Sequence, residues 1–150
     1  MVDERSPKES PLRRILVAAG LALAMIGVTA PAVWAGGPHF VDSTVTATRT
    51  GNTLTVSGKE AGLGDEAQVH IVVTATALCI NGGGKHPKAV NKESVSSEDT
   101  FPVQNGKADF QLSVTATFSP SCSPPMTVEF ADISVTDTTN NISTSIPGPI

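Results

Sequence analysis

The residues best equipped for chemistry follow the first of two cysteines. Shortly after Cys79 come Asn81, Gly82, Gly83, Gly84, Lys85, His86, Lys88, Asn91 and Lys92, a glycine-rich, basic stretch in a chain whose formal charge is −4. Such a loop can offer cations to an anionic partner. A phosphate-cradling loop needs Gly-x-x-x-x-Gly-Lys, then Ser or Thr, then a helix; here Lys85 is followed by His86 and Pro87, which excludes nucleotide binding of that kind. Two readings stay open for these residues. They are either the recognition loop of the domain or a plain connection whose lysines are solvated.

Other chemistry finds less support. His39, His70 and His86 stand in three unrelated contexts, and none has the short spacing of a zinc site. Asp132, Asp137, Asn140 and Asn141 offer oxygen atoms for calcium, but their order matches no known loop, and turns use the same residues for their own backbone. There is no Gly-x-Ser-x-Gly elbow, and the Ser, Asp and Glu residues are scattered. The expectation is a protein that is not an enzyme and holds neither metal nor cofactor. Lys59 and Glu60, adjacent on an extended segment, point to opposite faces. The stretch Gly58 to Asp65 therefore reads as a structural turn, with Leu63 plugging the end of the fold.

The beginning of the chain supplies an address. Arg13 and Arg14 precede an apolar run of 14 residues, Ile15 to Val28, too short for a stable membrane span and right for the core of an export signal. Pro31 interrupts the run, and Val33 and Ala35 put small side chains where a signal peptidase reads. Residues 1–35 are therefore expected to be a signal peptide, and residues 36–150 a single secreted domain of 115 residues, enough for one modest core. In an oxidising compartment Cys79 and Cys122, the only cysteines, should pair. A catalytic thiol would need a nearby base that the sequence does not supply.

The composition of residues 36–150 narrows the partners. Six basic against 11 acidic residues leave a formal charge of −5, which disfavours nucleic acid and anionic membrane surfaces. No later apolar run approaches membrane length, so no stable membrane anchor is expected. The single Trp, Trp34, lies in the leader, and the chain has no Tyr. The aromatic platforms that stack on sugars are missing. Arg49 is the one arginine after the leader, so a side-chain hot spot of the usual Trp, Tyr and Arg type is not available. Strand addition, which draws on backbone hydrogen bonds, stays open.

Those backbones must come from strands. Phe110, Leu112, Val114, Ala116 and Phe118 alternate with polar residues, the pattern of a strand with one buried face. Shorter versions occur at Val45 to Thr50, at Leu54 and Val56, at Val69 to Ala77, at Met126 to Phe130, and at Ile133 with Val135. All are rich in β-branched residues, and no stretch after the leader shows a sustained helical stripe. Gly51-Asn52 and Asn105-Gly106 supply tight hairpin turns, with Asn140-Asn141 a weaker signal. The apolar positions change parity between Phe130 and Ile133, which predicts a bulge near Ala131. About seven short strands with turns at these intervals predict an all-β antiparallel sandwich with Greek-key connections.

The run from Leu54 to Asp65, a strand ending at Cys79, then Asn105-Gly106 with its alternating strand and a second cysteine, resembles secreted immunoglobulin-like proteins of actinobacteria. The order is similar to that of the neocarzinostatin-type apoproteins, although those have two disulfides where this chain has one pair of cysteines. The segment Cys79 to Lys92 resembles that of small secreted actinobacterial β-sandwich proteins. The resemblance implies an immunoglobulin-like sandwich and an extracellular location. Function is expected to be that of an interaction or adaptor module with an extracellular protein partner, within an assembly such as a bacterial antagonism or toxin complex. Its binding residues would be the Asn81 to Lys92 loop, an edge strand, and the segment His39-Phe40-Val41. The alternatives are a carrier of a small ligand, as the apo-chromoprotein resemblance implies, and an inhibitor of an extracellular hydrolase.

Overall fold

Gly51 and the pair Asn105-Gly106 show how local backbone chemistry starts the fold. All three adopt positive φ (59°, 53° and 71°), a region open to Gly and Asn at little cost and needed in tight turns. The first joins β2 (Thr46–Thr50) to β3 (Thr53–Ala61) as a hairpin. The second follows β5 (Lys92–Pro102) and starts β6 (Lys107–Thr115). A computed structural model describes residues 36–81 and 91–150. Its remaining strands are β1 (His39–Phe40), β4 (Gln68–Ile80), β7 (Thr127–Asp137) and β8 (Ile142–Ile146), and one short 3-10 turn covers Asp42–Thr44.

These strands form two antiparallel sheets. In the first, β3 has β1 and β2 along one edge and β6 along the other; the second has the order β5-β4-β7-β8. Sequence-distant strands are neighbours in both, β3 with β6 and β4 with β7, the crossed pairing of a Greek key. The all-β antiparallel sandwich with one disulfide is thus the observed fold. Among the described residues there are eight strands rather than about seven: β1, β5 and β8 lie outside the stretches that alternation marks, while the patterns at Met126 to Phe130 and at Ile133 with Val135 belong to the one strand β7.

Alternation sets the core. Leu54 and Val56 of β3 with Phe110, Leu112 and Val114 of β6 face Val69, Ile71, Val73, Phe130, Ile133 and Val135 of the other sheet, all buried. Each large side chain taken fully from water contributes roughly 1.5–3 kcal/mol. Gly58 continues the inward face of β3, and a Cβ there would lie 2.7 Å from Cζ of Phe110. The ring fills the space that the glycine leaves. The expected bulge is present: β7 takes three steps from Ala131 to Ser134 while β4 takes two from Thr76 to Thr74, and Asp132 absorbs the extra residue at φ 50°. Without it, Ile133 and Val135 would turn to solvent.

The two ends of the sandwich differ in chemistry. At one, Cys79 on β4 bonds Cys122 of the β6–β7 connection with an S–S distance of 2.02 Å, and the sulfur of Met126 lies 3.7 Å from Cys79 Sγ. At the other, β3 continues through Ala61, further than the turn expected from Gly58 onward. Gly62 and Gly64 then take φ of 79° and 56°, and Leu63 is buried as the end plug. No helix among the described residues is long and apolar enough to cross a membrane.

Candidate functional site

The β4–β5 hairpin holds the residues expected to recognise a partner. Its last strand pair is Leu78 with Lys92. Asn81 leaves β4 exposed, Asn91 is half-buried at the entry to β5, and Lys92 is exposed. Gly82, Gly83, Gly84, Lys85, His86 and Lys88 lie outside the described residues, as does the expected signal peptide, residues 1–35. The disulfide fixes the β4 side of this hairpin. Closing a loop across 43 positions restricts the unfolded chain by roughly 4 kcal/mol in the entropy treatment.

Beside the hairpin runs the outer strand of its sheet. β5 pairs with β4 along its whole length and with no other described strand on its second edge. Of its 11 residues only Val95 is buried. Lys92 and Pro102 at its ends, with Glu93, Glu98 and Asp99, are residues that commonly blunt an edge, whereas Ser94 to Ser97 carries no charge and no Pro. The outer edge of β6 in the other sheet also has no described strand beside it, and the Thr117 N–H just beyond it donates to Glu93 Oε2 at 3.0 Å. A backbone ladder is therefore available at this corner, chiefly on β5. The third expected binding segment is differently used: His39 and Phe40 form β1 against Ala61 and Glu60, and Phe40 is buried in the core, its ring 5.9 Å from that of Phe110.

Two concavities among the described residues are open, with polar side chains lining them beside Ala75 and Val95 in the first and Pro102 in the second. Thr74, Thr76, Ser94, Ser96 and Asp132 line one of about 260 Å³ on the outer face of β4 and β5; Lys59, Gln104, Lys107 and Asp109 line another of about 320 Å³.

The opposite end contains a cluster that sequence reasoning missed. Glu60 and Lys59 do point to opposite faces: Lys59 pairs outward with Asp109 at 3.1 Å, while Glu60 is fully buried and neither of its oxygens has a hydrogen-bond donor. Asp137, also fully buried, accepts from the Thr139 N–H and from the Asn140 amide, both at 2.7 Å. The same amide nitrogen donates to Glu66 at 3.1 Å. Burial first, then the hydrogen bond and charge of Asp137, then the charge of Glu66 push the Glu60 carboxyl up to about 8. The parity of Leu54, Val56 and Gly58 already assigned position 60 to the inner face, and that was the signal available.

Of the four residues considered for calcium, Asp137 and Asn140 meet, Asn141 forms the left-handed position of the β7–β8 turn, and Asp132 sits apart in the bulge. Among the described residues, no three His, Cys, Asp or Glu side chains are grouped to hold a metal ion. Compared with protein families, curated proteins and solved structures, the chain has no significant match.

Proposed function

We propose that this chain is a non-enzymatic, exported interaction or adaptor module that joins an extracellular protein assembly, such as a bacterial antagonism complex, by adding a partner strand to β5. The observation that supports the reading is the long edge of β5, Lys92–Pro102, which no described strand pairs, beside the Asn81 to Lys92 hairpin. Backbone donors and acceptors in such an edge bind an extended segment without needing aromatic or arginine anchors. That suits a domain with no Tyr and, after the leader, no Trp. The disulfide braces the hairpin and is the covalent bond expected in an exported protein.

Native mass spectrometry of the protein recovered from the culture medium of its producer tests this reading. It should show a chain starting at Gly36, two hydrogens lighter than its reduced form, in a complex of fixed stoichiometry with another polypeptide. A partnerless monomer under those conditions contradicts the adaptor role, and an intact leader on free thiols contradicts export.

A further inference from the structure

We propose that Glu60 of β3 and Asp137 of β7 share one proton across the gap between the sheets, and that loss of this proton unlatches the end of the sandwich where the β3–β4 connection meets the β7–β8 turn. The geometry assigns the proton. Both oxygens of Asp137 already accept a donor, the Thr139 N–H on Oδ1 and the Asn140 amide on Oδ2. Glu60 receives none and is wholly shielded from water, so its favourable state is the neutral acid, its O–H directed to Asp137.

Among the described residues, the groups packed around the pair supply no countercharge. From β1 comes the apolar Phe40, and from β6 Ala108 stands opposite Glu60, its neighbours Lys107 and Asp109 facing outward. On β3 itself, Lys59 is engaged by Asp109 on the other face. On β4, Ile71 pairs with Asp137, and the His70 ring sits with Glu98 and Thr100 on the outer face. The β3–β4 connection brings Glu66, a third acid, tied through Asn140 to Asp137. When a base removes the proton, the Glu60 O–H bond breaks and its electron pair stays on the carboxylate. One hydrogen bond is then replaced by two facing negative charges, with a third beside them. Low-dielectric surroundings magnify that repulsion. The contacts that yield first are the part-buried ones at the turn, Asn140 to Glu66 and Thr139 to Asp137.

The sign of the pH effect follows from linkage. The native state keeps a proton up to about pH 8 that the unfolded chain releases near 4.5. Stability from this group is therefore complete below the lower value and is lost as pH rises towards the upper one, with the unfolding constant climbing up to tenfold per unit. Carbon-13 NMR of the wild-type carboxyl groups, together with urea unfolding of wild type and Glu60→Gln across that range, tests the proposal. One carboxyl should titrate near 8, and Glu60→Gln, which stays neutral and still donates to Asp137, should lose the extra slope. A Glu60 resonance titrating near 4.5, or an unchanged slope in Glu60→Gln, overturns it. So does saturable stabilisation of the wild type above pH 8 by calcium chloride, which would make the cluster a cation site. If Glu60→Gln does not fold, the wild-type titration decides.

Discussion

Gly58 and Leu63 show how single side chains, or their absence, set the packing along the inner face of β3 and at the end of the sandwich. A methyl group at position 58 meets the Phe110 ring at 2.7 Å and Val45 at 3.0 Å. Gly58→Ala should therefore cost about 1–3 kcal/mol, the usual price of overpacking, measured as a lowered urea midpoint at unchanged slope. Leu63 plugs the end that the acids occupy and is buried to 2% exposure. Leu63→Ala should cost about 2–5 kcal/mol and, by admitting water, move the Glu60 titration down from about 8. A loss of stability with no movement of that titration would show that Leu63 does not shield the carboxyl. Glu60 itself was readable only in part: parity gave its inward direction, whereas its facing Asp137 depends on the pairing of β4 with both β5 and β7, which no local pattern encodes.

Strands differ in how much of their environment they write into sequence. β6 alternates cleanly because every second residue, from Ala108 to Val114, is buried. β5 spans 11 residues yet buries only Val95, so its Ser, Glu and Asp content hides it from any test of periodicity. An edge strand with one neighbour and a wet outer face has little need of apolar residues. β8 is hidden for a related reason, since Ile142, Thr144 and Ile146 are only half-buried. The bulge at Asp132 and the turns at Gly51 and Asn105-Gly106 were readable because parity changes and positive φ angles demand particular residues. At this scale the disulfide is a covalent tie at the end of the β4–β5 hairpin. Reducing Cys79–Cys122 should lower stability by roughly 4 kcal/mol and raise amide exchange at Leu78 to Ile80 before that of β3 or β6. Equal acceleration everywhere would show that the bond acts only on the unfolded chain.

For the domain taken as one body, composition and topology point the same way. A net acidic chain without Tyr has few side chains suited to a conventional hot spot, and its hydroxyls are partly engaged with one another, as between Thr53 and Thr115 at 2.8 Å. Binding through a backbone edge should tolerate salt. Raising ionic strength to about 1 M, where screening acts within about 3 Å, should leave the complex largely intact, whereas capture by the lysines of the β4–β5 hairpin should fail. Amide hydrogen exchange on the partner-bound protein against the free protein decides between an edge and any other surface. Protection confined to the amides of β5 from Lys92 to Phe101, with β8 unchanged, is the predicted result. Protection elsewhere with β5 exchanging at its free rate would contradict strand addition as the way this domain binds.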